Sequence, residues 1–114
     1  MKRALVVLFA LAVLALNPAR ILAGTTGAYV TVTAVDQRND GKFLLDISGS
    51  IQGSTCATTL NRVTGDATTS GGKAMLQVSM SAFLAGKRVY IDTTNTCSEY
   101  AGIDSIARIY IVSN

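Results

Sequence analysis

The sequence contains no histidine and no tryptophan, and it has a single proline (Pro18), a single glutamate (Glu99) and only two cysteines (Cys56 and Cys97). Histidine is the side chain that titrates near neutral pH, so its absence removes the commonest general acid–base and the commonest metal ligand. The aspartates are scattered among strand ends and turns, and the many Ser and Thr residues have no base at a spacing that activates a nucleophile. No glycine-rich phosphate loop follows a strand. Two thiols with no third cysteine do not make a metal site. The residues therefore predict a chain that is not an enzyme and carries neither cofactor nor metal, and no tryptophan is present to stack on a sugar.

Long hydrophobic runs are also scarce. The one that exists, Ala4 to Leu16, follows Lys2 and Arg3 and precedes Asn17-Pro18 and Ile21-Leu22-Ala23. A charged start, a short apolar core and a small residue at the cut describe a secretory signal peptide, residues 1–23. The run falls short of the roughly 20 residues of a membrane span, so no span is expected after cleavage. No cysteine stands at the cut to carry a lipid. The leader holds Lys2, Arg3 and Arg20, and without them seven basic residues face seven acidic ones. That neutral balance excludes a nucleic-acid footprint. An exported chain meets an oxidising compartment, periplasmic or extracellular, and two cysteines then pair as one Cys56–Cys97 disulfide.

Residues 24–114 make one domain. Tyr29–Val35 alternates, with Val30, Val32 and Ala34 on one face and Tyr29, Thr31 and Thr33 on the other. Asp40-Gly41 is a tight turn into Lys42–Ser48, where Phe43, Leu45 and Ile47 face inward and Leu44 interrupts the polar side. A Gly/Ser-rich bend, Gly49 to Thr55, leads to a weaker third strand around Thr59–Val63. Ser70 to Gly86 is the only helical stretch, with Ser70 as cap and Gly86 as the left-handed stop, so the helix covers Ser70–Ala85. Its apolar stripe is Leu76, Met80, Phe83 and Leu84, widened by Met75, Val78 and Ala82. Arg88–Asp92 and Ser105–Val112 are the last strands, the latter with Ala107, Ile109 and Ile111 opposite Ile106, Arg108 and Tyr110. This β-β-β-α-β-β order predicts a mainly β fold, an OB-fold-like, partly closed five-stranded antiparallel barrel with one helix.

Two surfaces are candidate sites. The Cys97 loop gathers Asn95, Ser98, Glu99, Tyr100 and Asp104, an aromatic among hydrogen-bonding neighbours of the kind that binds sugars. The outward positions Tyr29, Tyr90, Arg108 and Tyr110, with Met75 and Val78 on the helix, have the composition of a subunit interface. The final strand is apolar on both faces, and the chain beyond the leader has no proline to protect an open edge, so self-association is expected.

The leader, the hairpin, the cysteine after the second strand, the run SGGKAMLQVSMSAFLAGKRVYI, the Cys-bearing loop and the final strand together resemble the small B subunits of bacterial A–B toxins. The likeness is to subtilase-cytotoxin and pertussis-like B subunits and their uncharacterised secreted relatives. It implies an OB-fold subunit that assembles into a homo-oligomeric ring, commonly a pentamer, binds a host glycan or glycoprotein without catalysis, and serves a secreted catalytic subunit. Two other classes fit the same residues: a small periplasmic inhibitor of a hydrolase such as a lysozyme, and a structural envelope protein with no soluble ligand.

Overall fold

A computed structural model describes residues 24–113; the expected leader, residues 1–23, lies outside them. The elements are β1 (Val30–Gln37), β2 (Lys42–Ile47), β3 (Arg62–Asp66), α1 (Ser70–Ala85), β4 (Arg88–Thr93) and β5 (Asp104–Ile111). Over the described residues the fold is mainly β with one helix, in the expected element order. Among the described residues, no helix is long and apolar enough to cross a membrane.

The hairpin forms because its turn residues suit it. Gly41 takes φ of +85°, Asp40 accepts the Lys42 amide at 3.0 Å, and the Arg38 amide reaches the Lys42 carbonyl at 2.8 Å. A side chain at Gly41 would also strike Thr68. The strands then hydrogen-bond in the closed order β1-β2-β3-β5-β4, with β4 returning to β1. All seams are antiparallel except one: β3 and β5 run parallel through Val63–Asp104 and Thr64–Ser105. The antiparallel expectation is corrected here, and the reason is arithmetic. A closed ring of five strands cannot alternate direction at every seam.

Two bulges shift which residues face inward. Val32 pairs with Ile47 and Ala34 with Asp46, leaving Thr33 as an extra residue on β1. Beyond it Val35, opposite Leu45, packs on the core in place of the expected Ala34. On β5, Arg108 pairs with Asp92 and Ile106 with Thr93, so Ala107 is the extra residue. Ile106 therefore joins Ile109 in the core, whereas simple alternation places them on opposite faces. The third strand lies further along the chain than expected, at Arg62–Asp66 rather than Thr59–Val63. Gly65 is strand, not loop, because the Phe43 ring occupies the space its side chain would need. The centre of the core is Phe43, Leu45, Ile51, Val63, Val89 and Ile91, each at most 2% exposed.

Helix α1 covers the predicted residues but is capped by Thr69, not Ser70: Thr69 Oγ1 accepts the Gly72 amide at 2.9 Å. Gly86, at φ +65°, ends it, and the Lys87 amide closes on the Ala82 carbonyl at 3.0 Å. The helix meets the barrel through small residues, Gly72, Ser79 and Ala82, with Met75, Leu76 and Val78 packed beside them. A side chain at Gly72 would strike the Asp66 carbonyl. The expected core stripe is thus only half right. Leu76 packs, but Met80 (45%), Phe83 (42%) and Leu84 (78%) are exposed, because close backbone approach turns the small residues inward.

Candidate functional site

The outer surface of β1, β4 and β5 carries a row of tyrosines. Pairing of Val30 with Val89 and of Tyr90 with Tyr110 sets Tyr29, Tyr90 and Tyr110 side by side. The Tyr29 and Tyr90 rings meet edge to face at 6.0 Å, and Tyr90 stacks on Tyr110 at 5.5 Å. Both geometries are favourable for aromatic quadrupoles. Tyr90 is half-buried and anchored, its hydroxyl oxygen accepting from Thr25 Oγ1 at 2.8 Å. Tyr29 (52%) and Tyr110 (38%) stand exposed at the two ends.

Arginines flank the row. The Arg88 guanidinium lies 5.5 Å from the Tyr29 ring centre and that of Arg108 lies 5.1 Å from Tyr110. Asp92 holds Arg108: its Oδ2 accepts from Nε at 2.8 Å and forms an ion pair with Nη2 at 2.6 Å. Arg88 is in no ion pair among the described residues. The result is an aromatic strip bordered by fork-shaped donors and one carboxylate, suited to a ligand with an apolar face and a polar rim. Strand parity places Tyr29, Tyr90, Arg108 and Tyr110 together on the outward face from sequence. Arg88 and Asp92 were missed. Both share the parity of Tyr90, but the contact of Arg88 with Tyr29 comes through the β1–β4 seam, which no local pattern predicts. Met75 and Val78 lie elsewhere, against the chain's own core.

The Cys97 loop is engaged internally. The disulfide joins Cys56 and Cys97, 41 residues apart in sequence. Asn95, at φ +57°, accepts the Thr55 amide at 2.7 Å and donates to Thr55 Oγ1 at 3.0 Å, clipping the two cysteine-bearing segments together. Glu99 accepts from the Ser98 and Ser105 hydroxyls. Tyr100 donates to Asp40 at 2.8 Å, and the Lys42 ammonium sits 5.8 Å from its ring. The Lys42 amide, and after it the Tyr100 hydroxyl, hold the Asp40 carboxyl below the usual range, while burial and Asp40 push the Tyr100 phenol up. Asp104 is fully buried and accepts from Thr93 Oγ1, the Thr96 amide and the Ser105 amide. The loop set is therefore split: Ser98 is exposed, Glu99 and Tyr100 are half-buried, and Asp104 lies inside. Asp104 and the two sulfurs lie within 4.8 Å of one another, but joined sulfurs offer no thiolate to a metal.

A third feature is an apolar groove of about 440 Å³ between the end of β1 and the outer flank of α1. Val35, Gln37, Leu76, Met80, Phe83 and Leu84 line it. The signal for it is the breadth of apolar residues around α1, wider than one stripe against a barrel requires. The chain matches no family model, no curated protein and no solved structure.

Proposed function

We propose that the protein is a secreted, non-catalytic binding subunit on an OB-fold barrel, and that its tyrosine strip receives a carbohydrate, free or on a glycoprotein. The OB-fold reading is supported by the closed strand order with the helix between β3 and β4 and the parallel β3–β5 seam. The observation that carries the ligand class is the row Tyr29–Tyr90–Tyr110 with Arg88 and Arg108 beside it. Sugar rings lay their C–H faces on aromatic rings and their hydroxyls on planar donors and carboxylates. The absence of catalysis is supported by the state of the acids: Asp36, Asp46 and Asp92 are each held by an arginine, and Asp40 by Tyr100.

Self-association belongs to the same proposal. Copies arranged head to tail cover the groove of Met80, Phe83 and Leu84, with a secreted catalytic subunit as the further partner. Titration calorimetry against a panel of free oligosaccharides tests the ligand class. Saturable heat with at least one of them, lost in Tyr110→Ala, is expected. No binding across the panel, with inhibition of a hydrolase instead, would replace this function with an inhibitor's.

A further inference from the structure

Asp104 is a buried carboxylate that no charged side chain pairs with among the described residues. It is 0% exposed, and its hydrogen bonds come from Thr93 Oγ1 at 2.8 Å, the Thr96 amide at 3.1 Å and the Ser105 amide at 2.9 Å, all neutral donors. The ion pairs among the described residues are Arg38–Asp36, Arg62–Asp46 and Arg108–Asp92, so every arginine in them is committed elsewhere. A buried charge without a counter-charge is costly even when hydrogen-bonded.

Beside it lies Gly24. This residue is buried, and its carbonyl accepts the Thr93 amide at 2.7 Å. A substituent on its α-carbon would stand 3.2 Å from Asp104 Oδ2 but would collide with Thr93 Oγ1 and Ile51 Cγ2 unless those side chains gave way. The α-nitrogen is bonded to that same carbon, about 2.5 Å from the substituent position by tetrahedral geometry. Rotation about the Cα–C bond carries a freed nitrogen toward it as the Thr93 and Ile51 side chains move aside, and a residue with a side chain would need more room still.

We infer that cleavage of the Ala23–Gly24 bond supplies the missing partner: the new Gly24 ammonium pairs with the Asp104 carboxylate. The inference rests on the export reading of residues 1–23. A leader peptidase adds water across the bond, Ala23 departs with the carboxylate, and the Gly24 nitrogen takes up a proton. Processing thereby completes the interior and ties β4, β5 and the amino terminus into one charged cluster. The precursor, whose nitrogen is an amide, lacks the pair and folds less stably. Gly24 is required twice, for space and as the residue whose amine can turn inward.

The test starts with the intact mass of the exported protein, which should correspond to a chain beginning at Gly24. A different start overturns the inference, and a retained leader overturns the export reading as well. Thermal unfolding of the chain beginning at Gly24 is then compared with one that keeps Ala23, each with and without Asp104→Asn. We expect the Gly24 form to melt about 5 °C or more above the Ala23 form, with the gap gone in the Asp104→Asn pair. Acetylation of the Gly24 amine should lower the midpoint as keeping Ala23 does, a readout that stands even where Asp104→Asn fails to fold. Equal midpoints for the Gly24, Ala23 and acetylated forms overturn the inference. Oligosaccharide binding by the Ala23 form is expected to be unchanged, so the binding proposal succeeds or fails separately.

Discussion

Tyr90 and Tyr110 stand directly opposite each other on β4 and β5, their rings 5.5 Å apart and inclined by 23°. The pair is held in place, because Thr25 donates to the Tyr90 hydroxyl and the Arg108 guanidinium lies over the Tyr110 ring. Cross-strand aromatic pairs contribute about 0.2–1 kcal/mol to a sheet. Tyr110→Ala should therefore cost the fold little, about 1 kcal/mol by chemical denaturation. It should weaken oligosaccharide binding at least tenfold, on the order of 1.4 kcal/mol. Tyr110→Phe, which keeps the ring, should bind nearly as the wild type does. Equal loss in both variants would mean the hydroxyl, not the ring, makes the contact.

Gly72 lies inside a helix, where alanine is normally better by about 1 kcal/mol. Here the order inverts, because a methyl at Gly72 meets the Asp66 carbonyl, a backbone atom that has nowhere to move. Gly72→Ala should destabilise by about 2 kcal/mol or more, and Ala82→Leu, which overfills a fully buried site, by about 1–3 kcal/mol. Urea midpoints decide both. A neutral Gly72→Ala would mean that α1 does not approach β3 this closely.

The helix and the hairpin were legible because their determinants are local. A left-handed glycine after a periodic run ends the helix at Ala85, and Asp40-Gly41 fixes the turn. The third strand slipped because Gly65 reads as a breaker until Phe43 is known to lie over it. Inward and outward faces failed after Thr33 and at Ala107, since a bulge shifts the alternation without marking the sequence. Within the tyrosine strip, parity alone finds Tyr29, Tyr90, Arg108 and Tyr110. Arg88 joins Tyr29 through a seam between strands far apart in the chain, and only tertiary structure provides it. The helix stripe misled for another reason: small residues won the barrel-facing positions, and size was mistaken for burial.

The disulfide closes a 41-residue loop containing β3, α1 and β4. In the chain-entropy account such a closure is worth about 4 kcal/mol. Paired Cys56→Ala and Cys97→Ala should lower stability by about 2–5 kcal/mol in urea. Exported protein alkylated without reductant should show no modified thiol by intact mass. Two alkylated cysteines would show that the pair does not form during export.

The contact between Tyr100 and Asp40 has a defined pH window. Asp40 titrates below its ordinary value of 3.8, so its contribution is present at neutral pH and is lost as pH falls below about 4. Tyr100 titrates above its ordinary value of 10.0, so its contribution holds until alkaline pH and disappears once the phenol ionises. Between those limits the loop should stay docked on β2. Asp40→Asn should lower the Tyr100 titration midpoint, read by ultraviolet difference absorbance. An unchanged midpoint would show that the hydrogen bond does not persist in solution.

Self-association hinges on the flank of α1. Leu84 is 78% exposed and Phe83 and Met80 are close to half exposed, forming one wall of the groove opposite Val35 and Gln37. Side chains already in water lose little when replaced, so Leu84→Glu should change the unfolding free energy by no more than about 0.5 kcal/mol. Phe83→Ala should cost well below the 3–5 kcal/mol of a buried phenylalanine. If copies cover this wall, the same changes bury a charge or open a cavity at each contact of the ring, and the assembly should fall apart while each subunit stays folded. Light scattering at micromolar concentration should give a wild-type mass several times the monomer's, reduced to the monomer in Leu84→Glu with an unchanged circular dichroism spectrum. A wild type that remains monomeric on concentration removes the ring. An oligomer indifferent to Leu84→Glu and Phe83→Ala moves the contact away from the helix, and the tyrosine strip then becomes the surface to test for it.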